Sequence, residues 1–302
     1  MGRILPSAAG FALAAGSAAL LLSASSSSGP DVGYAGDPIE FKNCTACHDS
    51  NPLDRGNGEF SIIGAPSSWR PGWTYTFSVK IMDPGQDRWG FQLIADDGYG
   101  NALGHFKVVD PYTRLRTGNG RTYISQKMVG TFFGFLDGPI SWTVSWESPP
   151  AGSGTVRFYA AGDAADNDRT PDGDFIYLAG TTSIEEGSGA SNVSLIAQPH
   201  GVVLRAGETL SVPIRIRNHS PNPVDVQVAS RVLLPWGNPW PPTGWLAGPE
   251  FVSIPASGSG ESFFQHAIPP GSPLWTFSYE VVVASLSGTL LDTLSFSFLI
   301  RP

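Results

Sequence analysis

Cys44-Thr45-Ala46-Cys47-His48 holds the only two cysteines of the 302-residue chain and sets a histidine directly after the second. Two thiols at this spacing can each add to one vinyl group of a haem, and the adjoining imidazole can then ligate the iron; this is the c-type attachment pattern. Competing uses of a CxxC make demands that the rest of the chain must meet. Structural zinc asks for a second close pair of Cys or His ligands, whereas His105, His200, His219 and His266 stand singly. A thioredoxin-like dithiol sits at a strand-to-helix turn within alternating strands and helices, and no such alternation runs through this sequence. A local disulfide gives no reason for a histidine at position 48. The expectation is one covalent haem c, with Cys44 and Cys47 as thioether attachments and His48 as proximal ligand.

The second axial ligand decides whether such an iron only passes electrons or also binds small ligands. His105 is the first candidate, because it alternates with Phe106 and Val108 and shares an outer strand face with Lys107, where a surface haem could lie. Met128, at the end of the next expected strand, is the second and would raise the potential. A separate loop, Asp163 to Asp174, gathers Asp163, Asp166, Asp168, Asp172, Asp174 and Asn167 within twelve residues. Oxygen ligands at that density could hold calcium, although the spacing is not that of an EF-hand. The alternative is a solvated turn whose acids bond to local backbone.

These residues must be carried by strands. With 36 Gly, 26 Pro, 17 Phe and only 15% charged residues, the chain is rich in turns and poor in helix formers, which predicts an all-β protein. Residues 1–28 read as a signal peptide: Arg3 precedes a short apolar run, Ala8 to Leu22, that is too brief to span a bilayer and is followed by serines. Residues 29–62 form a glycine- and proline-broken lead segment, a loop that can wrap a porphyrin edge while the following sandwich walls the opposite face. Residues 63–183 form a first immunoglobulin-like β-sandwich. Trp73, Tyr75, Phe77, Val79 and Ile81 share one face, and further strands are expected at 90–95, 105–109, 121–129, 140–147, 155–160 and 175–183. Residues 184–191 are a linker by composition. Residues 192–302 form a second immunoglobulin-like sandwich, with alternation at Leu210, Val212, Ile214 and Ile216, again from Phe277 to Val283 and from Leu294 to Ile300. Its loop Pro235 to Trp245 carries three tryptophans, which either pack back on their own sandwich or form a docking patch.

Several blocks carry a resemblance. Asn43 to His48, Gly90-Phe91-Gln92-Leu93, Ser141-Trp142 through Trp146-Glu147-Ser148-Pro149, and Val156 to Ala165 with Gly173-Asp174-Phe175-Ile176-Tyr177 resemble the bacterial reeler-like proteins with "choice-of-anchor V" domains. The likeness spans about Gly33 to Ser183. It implies an exported sandwich with a CxxCH segment in front, and a histidine at or near Gln126, in the strand Tyr123-Ile124-Ser125-Gln126, where this chain has none. It implies no activity.

A net charge of −8 argues against nucleic acid as a partner. No hydrolytic motif is present: there is no GxSxG elbow, no HExxH helix and no phosphate-loop spacing, so no enzyme is expected. Two readings follow. One is an exported, periplasmic or cell-surface mono-haem cytochrome, soluble without a membrane span, that serves a redox partner or envelope complex. The other is a surface structural or interaction protein, able to self-assemble, whose CxxC is only a local disulfide.

Overall fold

Strands in this chain form where β-branched and aromatic residues alternate with polar ones, so that one side of each ribbon can be buried. A computed structural model describes residues 28–186, 191–199, 203–235, 238–242 and 244–302. Nearly all of the proposed signal peptide, the centre of the expected linker, His200 and Trp236 lie outside the described residues.

The first sandwich comprises β1 (Glu59–Ile63), β2 (Ser68–Trp69), β3 (Thr74–Met82), β4 (Arg88–Asp96), β5 (His105–Lys107), β6 (Thr113–Gly118), β7 (Arg121–Gln126), β8 (Ile140–Glu147), β9 (Val156–Ala165) and β10 (Phe175–Glu185). One sheet runs β1-β3-β8-β5 and the facing sheet β2-β10-β9-β4-β7-β6. Between them Phe77, Val79 and Ile81 meet Phe91, Leu93 and Phe158, with Phe91 4.6 Å from Trp142 and Trp146 5.0 Å from Phe158 by ring centres. Trp73, expected in this row, lies outside it: β3 begins one residue later and Trp73 is exposed beneath the Arg70 guanidinium.

The second sandwich comprises β11 (Val193–Ala197), β12 (Val203–Arg205), β13 (Thr209–Asn218), β14 (Val224–Leu233), β15 (Pro239–Trp240), β16 (Ala247–Ile254), β17 (Ser259–Ala267), β18 (Thr276–Ser285) and β19 (Leu290–Arg301). Its sheets are β11-β13-β17 and β12-β19-β18-β14-β15, with β16 also on β14. The alternating residues of β13, β18 and β19 are all buried, as expected. In the loop, Trp240 and Trp245 are partly exposed, Arg231 lies over the Trp245 ring, and Trp240 walls an apolar cavity with Leu234 and Leu246.

The lead segment lies across the outer face of the six-stranded sheet. Ala35 packs on Ile94, Tyr123 and Tyr159, and Cys44 on Ala161 and Ile176. Polar ties accompany this packing: Tyr34 N–H donates to Gln92, whose amide donates to the Asp31 carbonyl, and Asp54 N–H donates to the Ile176 carbonyl. Both faces of β4 and β9 are therefore covered. Most of the segment is irregular, as expected, but a 3-10 turn at Cys44–Ala46 and strand β1 break the pattern. The expected boundaries at 62/63 and 183/184 accordingly fall inside β1 and β10.

The two sandwiches are joined by Arg157, which donates to the carbonyls of Leu195 and Asp97 and to Asp292. His219 sits nearby with Nε2 2.7 Å from Ser194 Oγ. Burial, and next the Arg217 charge, push its pKa down from 6.5 to about 4. A histidine lowered in the folded state binds its proton more readily when unfolded, so its contribution is intact above pH 6.5 and is lost as pH falls toward 4. Urea melts at pH 7.5 and 4.5 should show His219→Gln losing about 2 kcal/mol less than the parent chain over this interval.

Candidate functional site

The CxxCH turn is set by local chemistry. Asn43 caps it by accepting from the Thr45 N–H at 2.8 Å, and the Cys47 and His48 N–H groups close back on the Cys44 carbonyl. The turn leaves Cys44 buried against the sheet and Cys47 exposed, both as free thiols. Burial, and then the Asp163 charge, push the Cys44 thiol well up. A thiol held protonated is a poor attacking group, so Cys44 is the less reactive of the two.

His48 is held from two sides. Its Nδ1 is 2.5 Å from Asp174 Oδ2, and its Nε2 is 3.7 Å from Asp163 Oδ2. Asp174 is fully buried just ahead of β10. It also accepts from the Asp166 N–H, and its carbonyl accepts from Asn51. Burial works to lower the His48 pKa, but the Asp174 hydrogen bond and the two carboxylate charges outweigh it and raise it. Asp163 is pushed up to about 7 by burial, with His48 opposing and Asp174 adding. Its Oδ1 is buried without a hydrogen-bond partner among the described residues.

Asp163 was expected in a loop. β9 instead continues five residues beyond Ala160, and Gly162 permits this because a Cβ there would stand 2.6 Å from the Phe60 ring. The five acids consequently do not gather into an oxygen cage. Asp166 accepts from the Asp168 N–H and Asp168 from Thr170, in local turns, so the bland reading of this loop describes those residues. Among the described residues, His48, Asp163 and Asp174 form the one group of three potential ligands, each offering an atom within 4.8 Å of the others.

Both thiols and His48 line a single cleft of about 150 Å³, closed by Tyr34, Gly90, Gln126 and Asp163. Two thiols and one imidazole are the donor types that a covalent haem would use. A carboxylate on Nδ1 fixes the tautomer that leaves Nε2 as the ligand atom, as is usual for metal-binding histidines. The cleft is smaller than the roughly 300–1,000 Å³ of sites that engulf their ligand, so the group would be held at the surface.

Neither expected distal ligand reaches this cleft. His105 is on β5, paired opposite Glu147 in the other sheet, and the sandwich core separates the two outer faces. Met128 is not on a strand: β7 stops at Gln126, and Met128 starts a 3-10 turn, Met128–Thr131, with its side chain exposed. The turn packs so closely that position 130 admits only glycine, since a Cβ would stand 2.3 Å from the Tyr112 carbonyl oxygen. Sequence reasoning set Asp163 and Asp174 in an acidic calcium loop rather than beside His48; the structure brings both to the imidazole, a pairing that nothing local in the sequence signals.

No family model and no curated protein matches the chain. Among solved structures it is similar to the Reelin-N domain of F-spondin, with 19% identity over 47% of this chain and 96% of that one and a TM-score of 0.32. A human F-spondin reeler domain aligns with 20% identity over 45% of this chain and 96% of that one, at a TM-score of 0.30.

Asp174→Asn should remove the carboxylate that does most to raise the His48 pKa. By proton NMR of the haem-free protein, the His48 pKa should then fall below that of the parent chain, because only the more distant Asp163 charge is left to oppose burial; an unchanged titration would exclude the observed pairing.

Proposed function

We propose that the chain is an exported mono-haem c-type protein acting as an electron carrier or redox subunit of an extracytoplasmic assembly. One observation carries the reading: His48 is bound through Nδ1 to buried Asp174 while the rest of its ring lines the same cleft as both Cys44 and Cys47. Cys44 and Cys47 would hold the porphyrin by thioethers and His48 the iron. The group would supply one-electron chemistry. The protein's own part is to fix the imidazole tautomer, to place two carboxylates beside it and to wall one side with β4 and β7. Negative charge close to the iron favours its oxidised form and lowers the potential.

An exposed apolar patch beside the cleft would suit a redox partner. Thr131, from the 3-10 turn after β7, borders the His48 cleft, and Met128, Val129, Phe133, Phe135 and Leu136 around that turn are all exposed. Apolar side chains grouped in this way on a surface mark interaction sites. No helix of the described residues is long and apolar enough to cross a membrane.

The full chain, expressed with c-type maturation machinery and denatured in alkaline pyridine, should keep its red colour on the polypeptide. Cys44→Ala with Cys47→Ala should abolish that colour. A colourless parent chain would sink the cytochrome reading and leave a structural or interaction protein.

A further inference from the structure

A sheet edge offers unpaired N–H and C=O groups to any strand that can lie against it, and proteins blunt such edges by shortness, charge, proline or bulges. Most edges of this chain are blunted in that way. β2, β5, β12 and β15 have two or three residues, β1 and β11 have five, β6 carries Arg114 and Arg116, and β16 carries Pro249 beside a break in its register with β14. β17 is different. It pairs with β13 along all nine of its residues without a register break, contains no proline, lysine or arginine, and has Glu261 as its one acid.

The two ends of β17 fix which backbone groups it leaves free. Asn218 N–H donates to the Gly258 carbonyl at 2.9 Å, and Ile268 N–H donates to the Glu208 carbonyl at 2.8 Å, so residues 258 and 268 turn their backbone toward β13. Backbone direction alternates along an antiparallel strand. The even-numbered residues of β17 therefore bond to β13, and Ser259, Glu261, Phe263, Gln265 and Ala267 point their N–H and C=O groups away from it. Pro213, which has no N–H to give, is paired opposite Phe263 and fits this alternation. No partner meets these outward groups among the described residues. The side chains of the same five residues are exposed, Phe263 by 51%.

We propose that β17 pairs edge to edge with β17 of a second copy of this chain, antiparallel about a two-fold axis at Phe263. Phe263 is the middle residue of Ser259–Ala267, so only this axis pairs the whole strand. It sets Phe263 against Phe263 of the second copy, Glu261 against Gln265 and Ser259 against Ala267. No like charges stand opposite each other, whereas an axis at Glu261 would oppose two carboxylates. Aromatic cross-strand pairs stabilise antiparallel sheets, and a cleft of about 490 Å³ bordered by Leu178, Ile196, Pro213 and Phe263 leaves room beside the two rings. Two three-stranded sheets become one of six strands, joined by the self-complementary contact that a two-fold requires.

Sedimentation velocity of the full chain in reducing buffer should show a monomer–dimer equilibrium that moves to dimer as concentration rises. Phe263→Pro removes one outward N–H and no bond to β13, a change that an edge strand tolerates. It should leave the circular dichroism spectrum unchanged and abolish the dimer. Gln265→Lys sets a cation opposite Glu261 twice in each dimer and should tighten it about fivefold, and Gln265→Glu should loosen it about as much. A parent chain that stays monomeric up to its solubility limit overturns the proposal. So does a dimer that Phe263→Pro leaves intact, or one that answers Gln265→Lys and Gln265→Glu alike, because it then forms through another surface or register. Where Phe263→Pro fails to fold, the two opposed Gln265 variants decide.

Discussion

The site depends on one buried ion pair cluster that pins the lead segment to the six-stranded sheet. Arg121, at the start of β7, bridges Asp37 of the segment and Asp96 at the end of β4, and all three side chains are almost fully buried. Burial pushes Asp96 up to about 7, the Asp37 charge adds to this, and Arg121 opposes both. Charges removed from water in this way must be paired, and taking out one member strands the others at a cost of about 3–5 kcal/mol. Asp37 also accepts from the Ile39 and Glu40 N–H groups, so the anchor shapes the turn as well as holding it. With that turn fixed, Cys44 reaches Ala161 and His48 reaches Asp174.

The lead segment also ties the two halves of the molecule together. Phe41 meets Phe296 of β19 edge-on at 5.9 Å, and Ile196 of β11 packs with Ala35 in the same small cluster. Together with Arg157 these contacts place the second sandwich against the element that carries the cysteines. A partner held by the second sandwich would therefore be mechanically connected to the site rather than tethered at a distance.

The sequence made some of this legible and not the rest, for physical reasons. Strands β3, β13, β18 and β19 show period two because one of their faces meets water or polar neighbours, and their inward residues could be named in advance. β4 and β9 have both faces covered, one by the core and one by the lead segment, so alternation is lost and the sequence pattern stops five residues before β9 does. Cys44, Cys47 and His48 were legible because their chemistry is local in sequence. Their surroundings were not: Asp174 is 126 positions from His48 and Gln126 is 35 from Phe91, and such pairings are fixed by sheet order. Alternation showed that His105 faces outward. It could not show from which of the two sheets, and β5 belongs to the sheet that does not carry the His48 cleft. Met128 lies two residues beyond the end of β7, in a turn that sequence alternation does not mark.

The central claim is that Cys44, Cys47 and His48 act together as one attachment site. An experimental electron-density map of the protein purified after c-type maturation tests it most directly. The account predicts density continuous from both sulfurs into a porphyrin, with iron on His48 Nε2 and the Nδ1 bond to Asp174 retained. Sulfurs without such density, or a bare metal ion held among His48, Asp163 and Asp174, would contradict it.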